Sequence, residues 1–414
     1  MELYIYNPAI ELQGVIDGFT SLRWRRRFFE PGEFELHVAA SDENLAMLSE
    51  NNVIHRVDRS EAGIVEGITI EDTDESGEEI TATGRMASCM LDRRIITPTI
   101  NFNGTVEAAM RKIVSDNAIT ARPIDKLVLG TAGGFTPTAT FQVTWKTVLT
   151  AIEALSKAAP LGFRVRLDVP NKQWIFEVYG GTDRSVMQTA RPYVLFSSGF
   201  KNISKPTYTF DNTGYSNYAI VGGEGDGSAR TIITVDKTNG AARRELWVNA
   251  SDLTSSADAE DDFTGNGSTT AFTLSHTPSS ISSVTVGGTS TSDYTQSSTT
   301  ITFSSAPASG AAIAVSYAYT LSDADYKALL TQRGLEKLAD AVKSESFSAD
   351  AVDTANFQYL TDWDLGDIVS FEKWGLRLDQ RITEVEEVYE NGVETVTPTC
   401  GTPLPETLDF GDDT

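Results

Sequence analysis

Two stretches far apart in the chain read as imperfect copies of one another. The first is Val53-Ile54-His55-Arg56-Val57, then Gly67-Ile68-Thr69-Ile70-Glu71, then Ile80-Thr81-Ala82-Thr83-Gly84. The second is Asp367-Ile368-Val369-Ser370-Phe371, then Arg381-Ile382-Thr383-Glu384-Val385, then Val396-Thr397-Pro398-Thr399-Cys400-Gly401. An acidic turn at Asp72–Gly77 closes the first, and Asn391-Gly392 closes the second. Apolar residues alternate with Thr and Glu, the pattern of half-buried strands. Each stretch predicts strand, break, strand, tight turn, strand. Two related β units in one chain make a pseudo-symmetric body; the alternative is that any two antiparallel meanders share this pattern.

Upstream of the first copy, Leu22 to Phe29 leads into the turn Glu30-Pro31-Gly32, after which Phe34, Leu36 and Val38 alternate with polar residues. This predicts a hairpin. Glu43–Leu48 reads as a short helix. Residues 101–200 mix classes. Val106, Ala109, Met110, Ile113 and Val114 share one face of a helix over Thr105–Ser115. Thr144 is placed to cap a second helix carrying Val148, Ile152 and Leu155. Phe163–Leu167 and Trp174–Val178 form a hairpin around Pro170-Asn171. Ser322-Asp323-Ala324-Asp325 matches a capping box ahead of a helix with Leu329, Leu330, Leu338 and Val342. Between about Ser255 and Tyr319 the composition shifts to Ser and Thr, with no Lys or Arg. Short strands spaced by Gly, Pro and Ser predict a small inserted β-sandwich or meander.

With 414 residues and 40% hydrophobic content, the chain is long enough for several globular domains. No segment approaches the apolar run of a membrane span. Met1-Glu2-Leu3-Tyr4 lacks the basic start of a signal peptide, which predicts synthesis in a cytoplasm. Cys89 and Cys400 are the only cysteines; they could pair, but so sparse a use fits a reducing compartment better. A formal charge of −25 disfavours free association with nucleic acid or anionic membrane.

Motifs that could carry chemistry are weak. His37, His55 and His276 are dispersed and read as structural. Asp72-Thr73-Asp74-Glu75-Ser76-Gly77 opens like a calcium loop, but its twelfth position is Thr83 where Glu is needed. Gly222-Gly223-Glu224-Gly225-Asp226-Gly227 follows a strand, yet its two carboxylates would repel phosphate, so it reads as a turn or a close approach between subunits. Arg23–Arg27 is the one dense basic run. On a strand, Trp24, Arg26 and Phe28 face one way and Arg23, Arg25 and Arg27 the other. Ion pairing inside the protein or across an interface suits this run better than nucleic-acid binding. Arg23, Trp24, Arg25 and Arg27 are therefore candidate contact residues. Phe272, Tyr294, Tyr317 and Tyr319 are candidates for a carbohydrate-stacking platform in the insert, or else for its core. No nucleophile motif is present, and no cofactor or metal is expected.

Leu22-Arg23-Trp24 with Glu30-Pro31-Gly32-Glu33-Phe34-Glu35-Leu36 resembles the N-terminal signature of tail-hub proteins of long-tailed phages. Gly84-Arg85-Met86 through Leu91-Asp92-Arg93-Arg94-Ile95-Ile96, Val221–Gly225, Arg333-Gly334-Leu335 and Asp364-Leu365-Gly366-Asp367-Ile368-Val369 resemble further blocks of that family, in family order. The resemblance implies a β-rich α+β fold with two pseudo-equivalent β-barrel domains plus an α+β domain. The implied boundaries are 1–100 for the first barrel, 101–200 for the α+β domain, and 201–254 with 321–414 for the second barrel and its helix. The inserted small β-sandwich, 255–320, lies outside the family pattern. The resemblance further implies a homotrimer, whose six barrels join a sixfold tail tube or distal tail ring to a threefold tip and help gate the DNA channel. The implied place is the distal end of a virion tail. The implied partners are a tube or distal tail protein, a tape measure protein and a spike or tail fibre protein, with DNA passing unbound. The lumen is expected to be negative or neutral, with Arg23, Arg25 and Arg27 turned away from the axis. The alternatives are a tail-tip cell-wall hydrolase and an adhesin that binds a host surface glycan through the insert.

Overall fold

The computed structural model describes residues 1–73, 77–352, 357–390 and 392–401. The calcium-loop reading, the Asn391 turn and the acidic C-terminal tail fall partly or wholly outside them. The first region contains β1 (Leu3–Tyr6), β2 (Leu12–Ile16), β3 (Phe19–Arg27), β4 (Glu33–Ala39), α1 (Asp42–Met47), β5 (Val53–Arg56), β6 (Ala62–Thr73) and β7 (Gly77–Met86). The second has β8 (Ile100–Thr105), α2 (Val106–Val114), β9 (Leu127–Leu129), β10 (Thr138–Val143), α3 (Val148–Ala158), β11 (Gly162–Asp168) and β12 (Gln173–Tyr179). Next come β13 (Leu195–Ser197), β14 (Ile203–Asp211), β15 (Tyr218–Gly222), β16 (Ile232–Asp236) and β17 (Glu245–Asn249). The Ser/Thr-rich segment supplies β18 (Ser256–Thr264), β19 (Ala271–Thr273), β20 (Pro278–Val286), β21 (Thr289–Ser290), β22 (Tyr294–Ser297), β23 (Thr300–Phe303) and β24 (Ala312–Thr320). The chain closes with α4 (Asp323–Asp340), β25 (Ser344–Ala351), β26 (Ile368–Lys373), β27 (Leu376–Glu390) and β28 (Val393–Gly401).

One 13-stranded sheet dominates, in the order β14-β25-β28-β27-β3-β4-β7-β6-β5-β1-β2, with β26 joining β13 to β27. The order β3-β4-β7-β6-β5 in the first half recurs as β14-β25-β28-β27-β26 in the second. The register repeats as well. Trp24 lies opposite Phe34, and Phe34 opposite Gly84. Tyr208 lies opposite Phe347, and Phe347 opposite Cys400. The ladder from Gly84 continues to Val65, then skips a residue before Gly67 meets Thr83. The ladder from Cys400 continues to Ile382, then skips a residue before Glu384 meets Thr399. A bulge at the same place in both middle strands is a shared structural feature, because it fixes the twist and the facing of every residue beyond it.

The expected pair of closed barrels is corrected on one point. Each unit coils around its own core, but among the described residues no ladder closes either one. The β3 edge that would meet β2 is taken by β27, so the two units merge into a single open sheet. Leu3, Ile5, Leu22, Trp24, Leu36, Ile54 and Ile80 fill the first core. Phe196, Phe347, Trp363, Phe371, Ile382 and Cys400 fill the second, which also takes Phe28 from the end of β3.

The middle region packs α2 and α3 against β9, β11 and β12. Helix α2 gives way to a π-helical turn at Ser115–Thr120. Helix α3 starts later than the sequence predicts: Trp145 sits at φ 56°, outside helical backbone, and Thr147 rather than Thr144 caps it by accepting from the Thr150 amide at 3.0 Å. Ser322 caps α4 as expected, accepting from the Asp325 amide at 3.1 Å. The insert is a sandwich of two sheets, β18-β24-β20-β21 and β19-β23-β22, over one small core.

Candidate functional site

The seam between the two β units is where the chain's charge is most densely organised. It is built by the antiparallel pairing of β3 with β27, which sets Arg25 opposite Glu386 and Arg27 opposite Glu384. On one face the alternate arginines of β3 meet carboxylates from both neighbouring strands. Arg25 bonds Glu33 at 2.7 Å and Glu386 at 2.9 Å. Arg27 bonds Glu384 at 2.9 Å and Glu33 at 3.2 Å, and Arg23 reaches Glu386 at 3.2 Å. All three cations of the expected contact set are thus occupied by carboxylates of their own chain, while Trp24 is fully buried in the first core. Such cross-strand pairs contribute up to about 1 kcal/mol each.

The opposite face of the seam holds a network of buried ions. Arg26 is buried, donating to Glu61 at 3.0 Å, to Asp364 at 2.7 Å and to the Tyr359 hydroxyl at 2.8 Å. Tyr359 donates onward to Glu387 at 2.8 Å. Glu387, 1% exposed, also accepts from Arg56 at 2.8 Å and from Arg59 at 2.9 Å. The network therefore ties β3, the β5–β6 connection, the segment before β26 and β27 together. Burial alone would raise the Glu61 carboxyl, but the guanidinium groups of Arg26 and Arg164, with the Ser60 hydroxyl, hold it down at about 2. Burial pushes the Tyr359 hydroxyl well above its usual range, so it stays a donor. Placing Arg26 on the face of Trp24 and Phe28 was the one signal of this network in the sequence. Its partners, Glu61 35 residues on and Tyr359 and Asp364 333 and 338 residues on, carried none.

Two of the quoted motifs have local physical causes. In Asp364-Leu365-Gly366-Asp367, Gly366 has φ +93° and its carbonyl would lie 1.6 Å from a Cβ at Gly181, so two backbones meet here without side chains. Buried Asp367 accepts from the Thr182 amide at 2.7 Å and from Arg184 at 2.9 Å, fastening the middle region to the second unit. In Arg333-Gly334-Leu335, a Cβ at Gly334 would stand 2.8 Å from Val221 and Val235, so α4 rides directly on β15 and β16. Arg333 pairs with Asp252 through two 3.0 Å bonds. The Gly222–Gly227 loop makes its close contacts within the chain: the Glu224 amide donates to Tyr326 at 2.7 Å, and the Glu224 carboxylate accepts from Ser255 at the root of the insert at 3.1 Å.

Of the four candidate platform residues, Phe272 and Tyr317 are core side chains of the insert and present no open ring face. Tyr317 donates to Asp261 at 2.7 Å. Tyr294 and Tyr319 are half-buried, and Tyr319 stacks on His276 with centroids 3.8 Å apart. The four form no outward platform because Phe272 on β19 and Tyr317 on β24 lie in the insert core, with Tyr294 on β22 and Tyr319 on β24 packed against it. His37 lies between Glu35 and Glu79, at 3.0 and 3.2 Å. Cys89 and Cys400 are buried free thiols in separate cores, and burial pushes the Cys89 thiol up to about 12. Among the described residues no group of three or more His, Cys, Asp or Glu is placed to hold a metal.

The strand-rich fold is that of phage tail proteins. The tail protein from Neisseria meningitidis MC58 matches at a TM-score of 0.53 and 11% identity, over 96% of this chain and 95% of that one. The 43 kDa tail protein of prophage MuSo2 from Shewanella oneidensis matches at 0.53 and 11%, over 97% and 99%. Prophage tail protein gp18 from Listeria monocytogenes EGD-e matches at 0.50 and 11%, over 97% and 94%. A search of curated proteins finds no match. The family model of the Siphovirus ReqiPepy6 Gp37-like proteins matches residues 2–402, and the chain belongs to that siphovirus tail protein family.

Proposed function

We propose that this chain is the hub of a phage or phage-like tail. Three copies form a ring at the distal end that joins the sixfold tube, or the last tail ring, to a threefold tip. The observation that carries this reading is the internal repeat. Two β units with the same strand order, register and bulge stand side by side in one chain, so three chains supply six units. A cyclic trimer of such chains matches a sixfold neighbour on one face and a threefold neighbour on the other. The role is structural: the densest cluster of charge spends itself on ion pairs within the chain. On this reading the tube or distal tail protein and the tape measure protein lie above the ring, and a spike or fibre below it. DNA passes without specific binding, because Arg23, Arg25 and Arg27 are already paired and a chain of −25 offers little for phosphate.

The test is light scattering of the purified chain alone and with its tube partner. A mass of three chains is expected in the complex. A stable monomer or dimer within the assembled particle contradicts the reading.

A further inference from the structure

The internal seam has a vacant counterpart. In the seam, β27 divides its free edge: Leu376–Arg381 pairs with β26, and Glu384–Glu390 pairs with β3. Strand β6 is the equivalent of β27. Its start pairs with β5, but among the described residues the corresponding edge of Gly67–Asp72 has no partner strand. Strand β14 is the equivalent of β3. It pairs with β25 on one side and, among the described residues, with nothing on the other. Each unit therefore keeps unpaired the half of the seam that the other unit uses. We infer that β14 of one copy pairs antiparallel with β6 of the next, repeating between chains the contact that β3 and β27 make within one. This rests on the trimer reading and names its interface.

The register of the repeat fixes which residues meet. Tyr208 is the equivalent of Trp24, and Ile70 the equivalent of Glu387; Trp24 and Glu387 face each other in the internal seam. Phe210 is likewise the equivalent of Arg26, and Ile68 that of Val385, which also face each other. The inter-copy ladder thus sets Tyr208 opposite Ile70, Phe210 opposite Ile68, and Thr209 opposite Thr69. The chemistry agrees with that register. Arg26 is 3% and Glu387 1% exposed, both covered by the internal seam. Phe210 is 52% and Ile70 51% exposed, apolar side chains standing uncovered at the matching positions. Long unpaired edges carrying exposed apolar residues are sites of strand addition. The contact runs head to tail, the kind that generates a closed ring when its rotation closes and an open filament when it does not.

The direct test is cross-strand cysteine pairing in the full chain, with Thr69→Cys and Thr209→Cys together. Cys89 and Cys400 stay in place because both are buried. Mild oxidation is expected to yield covalent species of two and three chains, resolved without reductant. The same Thr209→Cys combined with Trp374→Cys is expected to yield none. Separately, Phe210→Asp is expected to weaken association at least ~100-fold, as loss of a central apolar anchor does. Its thermal transition as an isolated chain should stay unchanged, which separates lost association from failed folding. A three-chain particle that forms no Thr69–Thr209 cross-link and tolerates Phe210→Asp overturns this interface and leaves the trimer standing. A chain that never associates, alone or in the particle, overturns both.

Discussion

The first β unit turns from β3 to β4 across Phe28–Gly32, whereas the second leaves the same ladder position at the end of β14, runs through residues 212–343 and returns as β25. The two ladders nevertheless keep one register, from Trp24 and Phe34 on one side to Tyr208 and Phe347 on the other. Strand pairing is therefore set by the facing of the apolar residues and by the bulge, not by the length of the connection, whose entropy cost grows only slowly. The difference lies in what each unit offers its neighbour. At the internal seam Arg26 and Glu387 are buried and paired; at the equivalent positions of the outer edges Phe210 and Ile70 are apolar and open. A buried ionic network is specific because every member must be satisfied. It suits a contact made once, during folding of a single chain. Apolar edges suit association of finished chains.

The largest expected break in this comparison is Glu387→Ala. It removes the one buried carboxylate that Arg56 and Arg59 share and leaves them only the more exposed Asp58 and Glu394, so a cost of up to about 3–5 kcal/mol is expected. Phe210→Ala, at an open edge, should change the stability of the isolated chain by less than about 0.5 kcal/mol. Denaturant midpoints measured at a concentration that keeps the chain monomeric compare the two.

Acid should open the same seam. The Glu61 carboxyl lies at about 2 in the folded chain against 4.5 ordinarily, a depressed value. The stability it contributes is complete above the unfolded value and is lost as pH falls from there through about 2. The amount is roughly 3 kcal/mol at neutral pH. Glu61→Gln should flatten the pH dependence of unfolding across that window, with little change in its slope near neutrality.

A smaller effect is expected where α4 lies on β15 and β16. Gly334→Ala gains up to about 1 kcal/mol of helix propensity. It also drives a methyl to 2.8 Å from Val221 and Val235, an overpacking that costs about 1–3 kcal/mol. A modest net loss in the melting transition is the expected outcome, with both seams intact.

The smallest effect on the two β units should come from removing the insert. Ser256 pairs with Thr320, and Leu321 donates to Ser255 at 2.8 Å, so the two ends of the insert are already adjacent. Replacing residues 256–320 with a short Gly/Ser link should leave ring formation unchanged by light scattering. Loss of the ring would make the insert part of the hub core.

The repeat was legible in outline because period-2 alternation survives at Ile68 and Ile70, at Ile80 and Ala82, and at Val396, Pro398 and Cys400. Its register was not. The bulges at Val65–Gly67 and Ile382–Glu384 place Val65, not Ile68, at the equivalent of Ile382, and a bulge leaves no mark in composition. The hairpin at Glu30-Pro31-Gly32 and the cap at Ser322 were readable because turn and cap chemistry is local. Closed barrels were expected where one shared sheet forms. The pairing of β3 with β27 joins residues at opposite ends of the chain, and nothing local in either strand announces it. The alternate facing of Arg23, Arg25 and Arg27 against Arg26 was readable, while the two sets of acidic partners were not.

On the proposed reading one chain carries two equivalent units and completes its ring by repeating its own seam. Electron cryomicroscopy of the tail tip tests this most directly. Three chains around the axis presenting six β units are expected, with β3–β27 seams alternating with β14–β6 seams. A hub with β14 and β6 edges facing solvent, or with a copy number other than three, would contradict it.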